Sequence, residues 1–125
     1  MFITLEGPEG SGKSTQITRL VQRLLDRGVR AVQTREPGGT AIGDQVRDIL
    51  MNLENTSMYP TTEILLFSAS RAQHVHEFIK PHLEEGAVVV CDRYYHSTLA
   101  YQGYGHGLDL KALQQITRFA TSGLD

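Results

Sequence analysis

A glycine-rich segment near the start of the chain constrains the fold more than any other feature of the sequence. Residues 7–15 read Gly-Pro-Glu-Gly-Ser-Gly-Lys-Ser-Thr and follow a short apolar, β-branched run at residues 2–5, which predicts a buried strand. Apolar residues then recur at helical spacing, at Ile17, Leu20, Val21, Leu24 and Leu25. A strand, a glycine-rich turn and a helix in this order are the setting of a phosphate-binding P-loop. The fixed positions of that loop are matched by Gly7, Gly12, Lys13 and Ser14.

The residue types in this loop suit the binding of a nucleotide's phosphates. Glycines let the backbone form a concave nest of N–H groups, and the following helix adds the positive end of its dipole. Lys13 supplies a mobile positive charge, and Ser14 supplies a hydroxyl of the kind that Mg²⁺ prefers. The alternative is a glycine-rich turn that binds nothing. We expect the nucleotide-binding loop to consist of Gly7, Pro8, Glu9, Gly10, Ser11, Gly12, Lys13, Ser14 and Thr15.

The composition argues against several classes of partner. A formal net charge of −2 over 125 residues gives no bulk basic character, so neither nucleic acid nor an anionic membrane is expected as the main partner. The single cysteine, Cys91, excludes an internal disulfide framework and is typical of a cytoplasmic protein. No apolar run approaches the length of a transmembrane helix. We expect one soluble domain over residues 1–125, without a linker or a repeat.

Strands alternate with helices along the chain, which predicts an α/β fold. The predicted strands are residues 2–5, 29–34 and 87–91. The predicted helices are residues 13–27, 42–52, 61–79, 97–102 and 109–121, the last with Asp109 as its N-cap. Pro81 is expected to interrupt the third helix, and a short helical turn to Glu85 is expected to follow. Residues 87–91 are apolar without a break, as in a central strand buried on both faces. The order of elements predicts a three-layer α/β/α P-loop NTPase fold around a parallel sheet.

A second candidate for chemistry lies where the third predicted strand ends. In P-loop proteins an acid at this place holds Mg²⁺ directly or through a water molecule, and Asp92 occupies it. A strand-end cap without chemistry is the alternative for Asp92. The neighbouring Arg93 could bind an oxyanion through two parallel hydrogen bonds. The histidines are predicted to lie on the surface without binding a metal, because His74 and His76 point in different directions on a helix.

Several segments together resemble those of the bacterial thymidylate kinases. They are residues 6–15, residues 34–40 (Thr-Arg-Glu-Pro-Gly-Gly-Thr), residues 66–74 (Leu-Phe-Ser-Ala-Ser-Arg-Ala-Gln-His), residues 92–94 (Asp-Arg-Tyr) and residues 97–103 (Ser-Thr-Leu-Ala-Tyr-Gln-Gly). The P-loop alone indicates only a nucleotide, whereas its combination with Arg-Glu-Pro-Gly-Gly-Thr is much more specific. The resemblance implies transfer of the γ-phosphoryl group of ATP, bound with Mg²⁺, to dTMP. The product is dTDP, on the route to dTTP.

The resemblance also implies roles for individual residues. Phe67 would stack on the thymine ring, and Arg71 would donate to a thymine carbonyl group. Glu9 would meet the 3′-hydroxyl of the deoxyribose, and Arg93 would hold the acceptor phosphate. The rest of the acceptor pocket would be Pro37, Thr98, Tyr101 and Gln102. The catalytic residues would be Lys13, Asp92 and Arg93, and the metal ligands would be Ser14 and Asp92.

The spacing of two pocket residues agrees with these roles. Phe67 and Arg71 are four apart on a predicted helix, so they share a face and can reach one ligand. Without the resemblance, core packing for Phe67 and a solvated surface position for Arg71 would be the plainer interpretations.

The resemblance further implies a homodimer that packs through the helices at residues 42–52 and 61–79. Family chains are longer, so we expect the sheet to be incomplete at its C-terminal side. A further strand, the adenine-binding segment and a lid with the catalytic arginine would lie beyond residue 125. The alternatives are another nucleoside-monophosphate kinase, a P-loop module that binds nucleotide without phosphotransfer, and an inactive nucleotide-binding fragment.

Overall fold

The computed structural model describes residues 1–7, 10–94, 110–122 and 124. In this part of the chain the strands are β1 (Phe2–Gly7), β2 (Ala31–Glu36) and β3 (Val88–Tyr94). The helices are α1 (Lys13–Asp26), α2 (Ala41–Met51), α3 (Pro60–His74), α4 (Lys80–Glu84) and α5 (Leu110–Ala120), and a π-helical turn at Val75–Ile79 joins α3 to α4. No helix among these residues is both long and apolar enough to cross a membrane.

β3 lies at the centre of the described sheet. The strand order is β1-β3-β2, and both neighbours pair with β3 in parallel. The register places Glu6 and Glu36 on either side of Arg93, so the carboxyl ends of all three strands meet at one edge. Parallel strands joined by helical connections confirm the predicted α/β fold class.

Helices cover both faces of the sheet, which gives three layers. Val89 and Val90 are both fully buried, and successive side chains of a strand point to opposite faces. Val90 packs with Ile17 of α1, whereas Val89 packs with Val75 and Ile79 of the π-helical turn. Burial of each valine side chain contributes about 1.5–3 kcal/mol relative to exposure. β3 is therefore buried on both faces, as its unbroken apolar sequence predicts.

The other two strands differ from their predicted form. β1 contains only half-buried and exposed residues instead of being buried throughout, and it lies at an edge of the described sheet. β2 begins at Ala31 rather than at residue 29, because Val29 still belongs to the end of α1. The N–H groups of Gly28 and Val29 bond to the carbonyl oxygens of Leu25 and Leu24, which is a Schellman motif.

The third predicted helix does not end before Pro81. α3 passes through the π-helical turn into α4, and the N–H group of Lys80 bonds to the carbonyl oxygen of Val75, five residues back. Pro81 lies in the first turn of α4. The wider turn leaves room for a proline ring, which would clash with a carbonyl group in a regular helix. The predicted helix at residues 97–102 and the predicted N-cap at Asp109 lie outside the described residues.

A close turn joins β2 to α2. Gly39 lies in this turn with a φ of 89°. A Cβ atom at Gly39 would lie 2.7 Å from His74 Nε2 and 2.9 Å from the carbonyl oxygen of Arg35. Thr40 then caps α2, because its hydroxyl accepts a hydrogen bond of 2.9 Å from the N–H group of Gly43. The turn therefore needs glycine both for its backbone conformation and for its approach to α3.

We expect Gly39→Ala to destabilise the fold more than Gly28→Ala, which is the matched control. Both glycines have a positive φ, so each alanine costs about 1–2 kcal/mol in backbone strain. Only at residue 39 does the new Cβ meet other atoms within 4 Å, and such overpacking adds about 1–3 kcal/mol. Urea unfolding followed by circular dichroism measures both losses. Equal losses in the two variants would contradict the close contact with His74.

Candidate functional site

The P-loop runs from the end of β1 to the start of α1. Gly10 and Gly12 have φ angles of 83° and 84°, in the left-handed region that favours glycine. Gly12 is the N-cap of α1. Because glycine has no side chain, no capping side chain at that position accepts hydrogen bonds from the first N–H groups of the helix. Such a helix start is suited to binding an anion. Pro8 and Glu9 lie outside the described residues.

Lys13 joins the P-loop to the central strand. Its Nζ lies 2.6 Å from Asp92 Oδ1 and also donates to the carbonyl oxygens of Gly7 and Arg93, the latter at 2.8 Å. Lys13 is buried, whereas the Asp92 side chain is 25% exposed. A buried ammonium group requires such oxygen partners, because removing an unpaired charge from water is very unfavourable. The structure therefore brings together the lysine and the acid that the sequence singles out.

Ser14 and Asp92 form a pair of oxygen donors beside Lys13. The Ser14 hydroxyl donates to Asp92 Oδ2 at 3.3 Å, and Ser14 is exposed. In octahedral coordination, two neighbouring ligand atoms that each lie about 2.1 Å from the cation are about 3 Å from each other. Mg²⁺ prefers hard oxygen ligands of this kind. The two side chains therefore fit a small divalent cation in both chemistry and separation.

The alternation of β3 separates two sets of polar side chains. Asp92 shares a sheet face with Val90 and α1, and this is the face of the P-loop. Arg93 shares the opposite face with Val89, on which α3 and the π-helical turn pack. Adjacent residues of one strand therefore serve different layers of the fold.

Glu36, Arg71, His74 and Arg93 form a cluster on the α3 side, which we name the Glu36 cluster. Glu36 Oε2 accepts a hydrogen bond of 3.0 Å from Arg71 Nε and lies 3.5 Å from Arg93 Nε. Glu36 Oε1 lies 3.1 Å from His74 Nδ1. The Glu36 carboxylate is 4% exposed, so these three side chains replace most of its contact with water. The sequence predicts a role for Arg71 and Arg93, whereas Glu36 was not predicted to take part in the site.

The charge of Glu36 is stabilised by its partners. Burial by itself raises the pKa of Glu36, but the hydrogen bond with His74 and the charges of Arg71 and Arg93 outweigh burial and lower the pKa to about 2. The pKa of an unfolded glutamate is about 4.3. Ionised Glu36 therefore stabilises the fold above that pH, and the contribution is lost as the pH falls towards the folded pKa.

His74 is buried, and the prediction that it lies on the surface is wrong. The residue is 0% exposed. A carboxylate can only accept hydrogen bonds, so His74 Nδ1 carries a proton towards Glu36. His74 Nε2 lies 2.7 Å from the hydroxyl of Thr34 on β2. Helical spacing shows which residues share a face with His74, but it does not reveal that the end of β2 covers that face.

Arg93 is held by two carboxylates at ion-pair distances. Its Nη1 lies 3.7 Å from Glu6 Oε1, in addition to the contact of its Nε with Glu36, and the guanidinium lies 5.9 Å from the ring centroid of Phe2. The Arg93 side chain is 21% exposed, and its buried Nε makes no hydrogen bond within the described part of the chain. The positive charge is thus balanced while part of the guanidinium still faces solvent, where an anion could reach it.

Two predicted pocket residues outside the Glu36 cluster, Phe67 and Pro37, adjoin its members along the chain, Phe67 one helical turn before Arg71. Phe67 and Arg71 are both buried on α3, and Pro37 is buried directly after Glu36. The burial of Arg71 excludes the solvated surface position, whereas Phe67 remains compatible with core packing and with a role in a pocket wall. The remaining predicted pocket residues lie outside the described residues, namely Glu9, Thr98, Tyr101 and Gln102.

Cys91 adjoins the Glu36 cluster but is chemically inert there. Ligand-type atoms of Glu36, His74 and Cys91 all lie within 4.8 Å of one another. Burial, and then the charge of Glu36, raise the pKa of the Cys91 thiol to about 12, so it stays protonated near neutral pH. Arg71 and Arg93 beside the same carboxylate disfavour a further cation. This cluster is therefore an arginine–carboxylate arrangement and not a metal site.

A cavity lies beside the Ser14–Asp92 pair. Its volume is about 430 Å³, and its lining includes Ser14, Asp92, Thr34, Arg35 and Gly39. In open α/β sheets, ligands bind in the crevice outside the carboxyl ends of the strands. The cavity, the P-loop and the Glu36 cluster all lie at that edge, so the arrangement can hold two anionic groups close together.

Comparison with known proteins identifies the family. The sequence profile described as Thymidylate kinase matches residues 5–122. The thymidylate kinase of Roseiflexus castenholzii is 59% identical over 124 residues, which are 99% of this chain and 54% of that protein. The thymidylate kinase of an Exiguobacterium species is 50% identical over 124 residues, which are 99% of this chain and 58% of that protein.

A solved structure supports the same relationship. The crystal structure of thymidylate kinase from Ehrlichia chaffeensis matches with a TM-score of 0.79 at 43% identity, over 96% of this chain and 67% of that chain. The chain spans little more than half the length of the two relatives compared above. Since the family profile covers almost all of its residues, the chain belongs to the thymidylate kinase family.

Proposed function

We propose that this protein transfers the γ-phosphoryl group of ATP to dTMP, giving dTDP on the route to dTTP. The observation that carries the proposal is the pairing of two charged sets at one edge of the sheet. Lys13, Ser14 and Asp92 lie on the P-loop face, and Arg71 and Arg93 meet at Glu36 on the other. This arrangement suits phosphoryl transfer, because a donor and an acceptor, both anionic, must meet in line while their charges are neutralised.

The P-loop side would bind ATP. The loop N–H groups and the helix start would hold the phosphates of ATP, and Lys13 would turn from its oxygen partners towards the outer phosphates. Ser14 and Asp92 would hold Mg²⁺, which supplies positive charge to the β- and γ-phosphate oxygens when bound. Family membership supports a nucleotide-binding kinase with a divalent metal ion, and the oxygen pair favours Mg²⁺.

The Glu36 side would bind dTMP. Arg93 would hold the acceptor phosphate, whose second pKa is about 6, so that its oxygen is already largely ionised and needs no strong general base. Arg71 and Phe67 would meet the thymine ring, with Pro37 on the same pocket wall. From the family resemblance we also assign the 3′-hydroxyl to Glu9, the base edge to Thr98 and Gln102, and the sugar to Tyr101.

A homodimer is a further part of the proposal. Large apolar side chains are exposed on three neighbouring helices, namely Ile42 and Ile49 of α2, Leu65 of α3 and Phe119 of α5. Two of them, Leu65 and Phe119, line an apolar groove of about 580 Å³ between α3 and α5. Contiguous exposed apolar surface is typical of protein interfaces.

A cytoplasmic location accords with the lone, reduced and buried Cys91.

The activity is tested by coupled ADP release with ATP, Mg²⁺ and dTMP. The assay uses this chain and a chimera in which the remaining C-terminal part of the Roseiflexus castenholzii relative continues it. We expect turnover of dTMP by the chimera, and dUMP and dCMP serve as acceptor controls. Equal turnover of the three acceptors would favour a broader nucleoside-monophosphate kinase. The proposal would be contradicted if the chimera folds but neither turns over dTMP nor binds dTMP in the absence of ATP.

Lys13→Ala and Arg93→Ala should separate the donor side from the acceptor side. In the chimera, Lys13→Ala should lower kcat at least about a hundredfold, because it removes a charge aimed at the transferred group. Arg93→Ala should raise KM for dTMP and lower kcat, because it removes a contact made before and during transfer. Arg19→Ala, at an exposed position of α1, is the control. Retained turnover in Lys13→Ala would overturn the role given to Lys13.

The homodimer is tested with two matched leucines. Leu65 on α3 is 51% exposed and Leu25 on α1 is 47% exposed, so either can be changed to glutamate without burying a charge. We expect Leu65→Glu to shift the chimera from dimer to monomer in analytical ultracentrifugation, whereas Leu25→Glu leaves the dimer intact. A monomeric unsubstituted protein, or dissociation by both variants alike, would contradict an interface through α3.

A further inference from the structure

We propose that Glu36 is a positioning residue that fixes the two arginines of the acceptor side relative to each other. The inference rests on the proposed function, because it concerns how dTMP is held. Glu36 itself does not touch the substrate. It acts through Arg71, which is assigned to the thymine ring, and through Arg93, which is assigned to the phosphate.

The geometry places one carboxylate oxygen against both guanidinium groups. Glu36 Oε2 lies 3.0 Å from Arg71 Nε and 3.5 Å from Arg93 Nε. Arg71 belongs to α3 and Arg93 to β3, so Glu36 on β2 is the link between two separate elements. Two positive groups repel each other at such short range, particularly where water is scarce. A shared anion offsets this repulsion and sets the distance between the arginines.

The carboxylate itself is held from its other side. Glu36 Oε1 lies 3.1 Å from His74 Nδ1, and His74 Nε2 lies 2.7 Å from the Thr34 hydroxyl. His74 is fully buried, and the turn at Gly39 closes over its ring at a distance that no Cβ would tolerate. With both oxygens engaged and the supporting ring immobilised, the Glu36 carboxylate cannot rotate freely. An immobile anchor is what a positioning role requires.

The backbone places the anchor opposite one of the arginines. Glu36 is the last residue of β2, and it is the register partner of Arg93 on β3. Parallel pairing with β3 therefore fixes the Cα atoms of Glu36 and Arg93 side by side. Gly38, two residues after Glu36, donates its N–H group to the hydroxyl of Ser70 on α3 at 2.9 Å, which ties the end of β2 to the helix that carries Arg71.

The donor side does not depend on this anchor. Lys13 and Asp92 lie on the opposite face of the sheet, where Lys13 Nζ is 2.6 Å from Asp92 Oδ1. The hydrogen bond from Lys13 Nζ to a member of the Glu36 cluster goes to the backbone carbonyl of Arg93 and not to a side chain. Loss of the Glu36 charge should thus weaken dTMP binding selectively. A residue that only stabilised the fold would affect both sides together.

The test compares Glu36→Gln, which keeps the shape of the side chain and removes its charge, with Glu54→Gln at an exposed position. Isothermal titration calorimetry with this chain measures binding of dTMP and of thymidine. We expect the Kd for dTMP to rise about tenfold or more in Glu36→Gln, since the arginines lose a charge-assisted partner. The rise for thymidine should be smaller, because only Arg71 of the two arginines addresses the base. Glu54→Gln should bind as the unsubstituted chain does.

A second measurement reports on the arginines without any ligand. Relaxation of the Nε–H signals in nuclear magnetic resonance spectra, assigned with Arg71→Lys and Arg93→Lys, gives the rigidity of each guanidinium. In the unsubstituted chain both groups should be more rigid than that of the exposed Arg27, and Glu36→Gln should mobilise both. Even where Glu36→Gln fails to fold, this measurement can overturn the inference, because it reports on the guanidinium groups of the unsubstituted chain.

The outcomes separate the inference from the proposed function. If the unsubstituted chain does not bind dTMP although both guanidinium groups are rigid, the acceptor assignment fails and the positioning of the arginines stands. If the chain binds dTMP and folded Glu36→Gln binds it equally well, the inference is overturned and the proposed function stands. Guanidinium groups of Arg71 and Arg93 as mobile as that of Arg27 would likewise overturn it.

Discussion

The alternation of side chains along β3 is the constraint on which the rest of the structure depends. β3 is central and buried on both faces, so adjacent residues at its carboxyl end face different layers. Asp92 meets Lys13 beneath α1, and Arg93 meets Glu36 beside α3. A register shift of one residue would exchange the two sets. The apolar pattern that buries Val89 and Val90 therefore also orients the polar residues that follow.

Charge pairing makes it possible to keep ionised groups at this edge of the sheet. Lys13 is buried against Asp92, and Arg71 is buried against Glu36. The desolvation of two ions can exceed their mutual attraction, so such pairs are weak contributors to stability even where breaking one is costly. Their contribution here is to fix the positions of the charged side chains relative to one another. Each pair holds a cation in a defined position at the carboxyl ends of the strands, in surroundings where electrostatic interactions are strong.

Local rules account for the features that were predictable. The glycine spacing of the P-loop, the apolar run of β3 and the acid after it each depend on near neighbours in the sequence. The start of β2 was not predictable in this way, because the N–H group of Val29 bonds back to α1 and not to a strand. His74 has the helical spacing of an ordinary polar residue, and nothing in that spacing tells which element covers it.

The sequence by itself determined the fold class, the P-loop and the identity of its partner acid, because each of these follows from the order and spacing of residue types along a short segment. The tertiary structure alone decided that Glu36 receives both arginines and that His74 supports it. The contacts of Glu36 with Arg71 and His74 join residues 35 and 38 positions apart and arise only when α3 packs over the end of β2, whereas the contact with Arg93 arises when β2 pairs with β3. The strength of these contacts depends on burial and on charges from separate elements, and neither can be predicted from a short segment of the sequence.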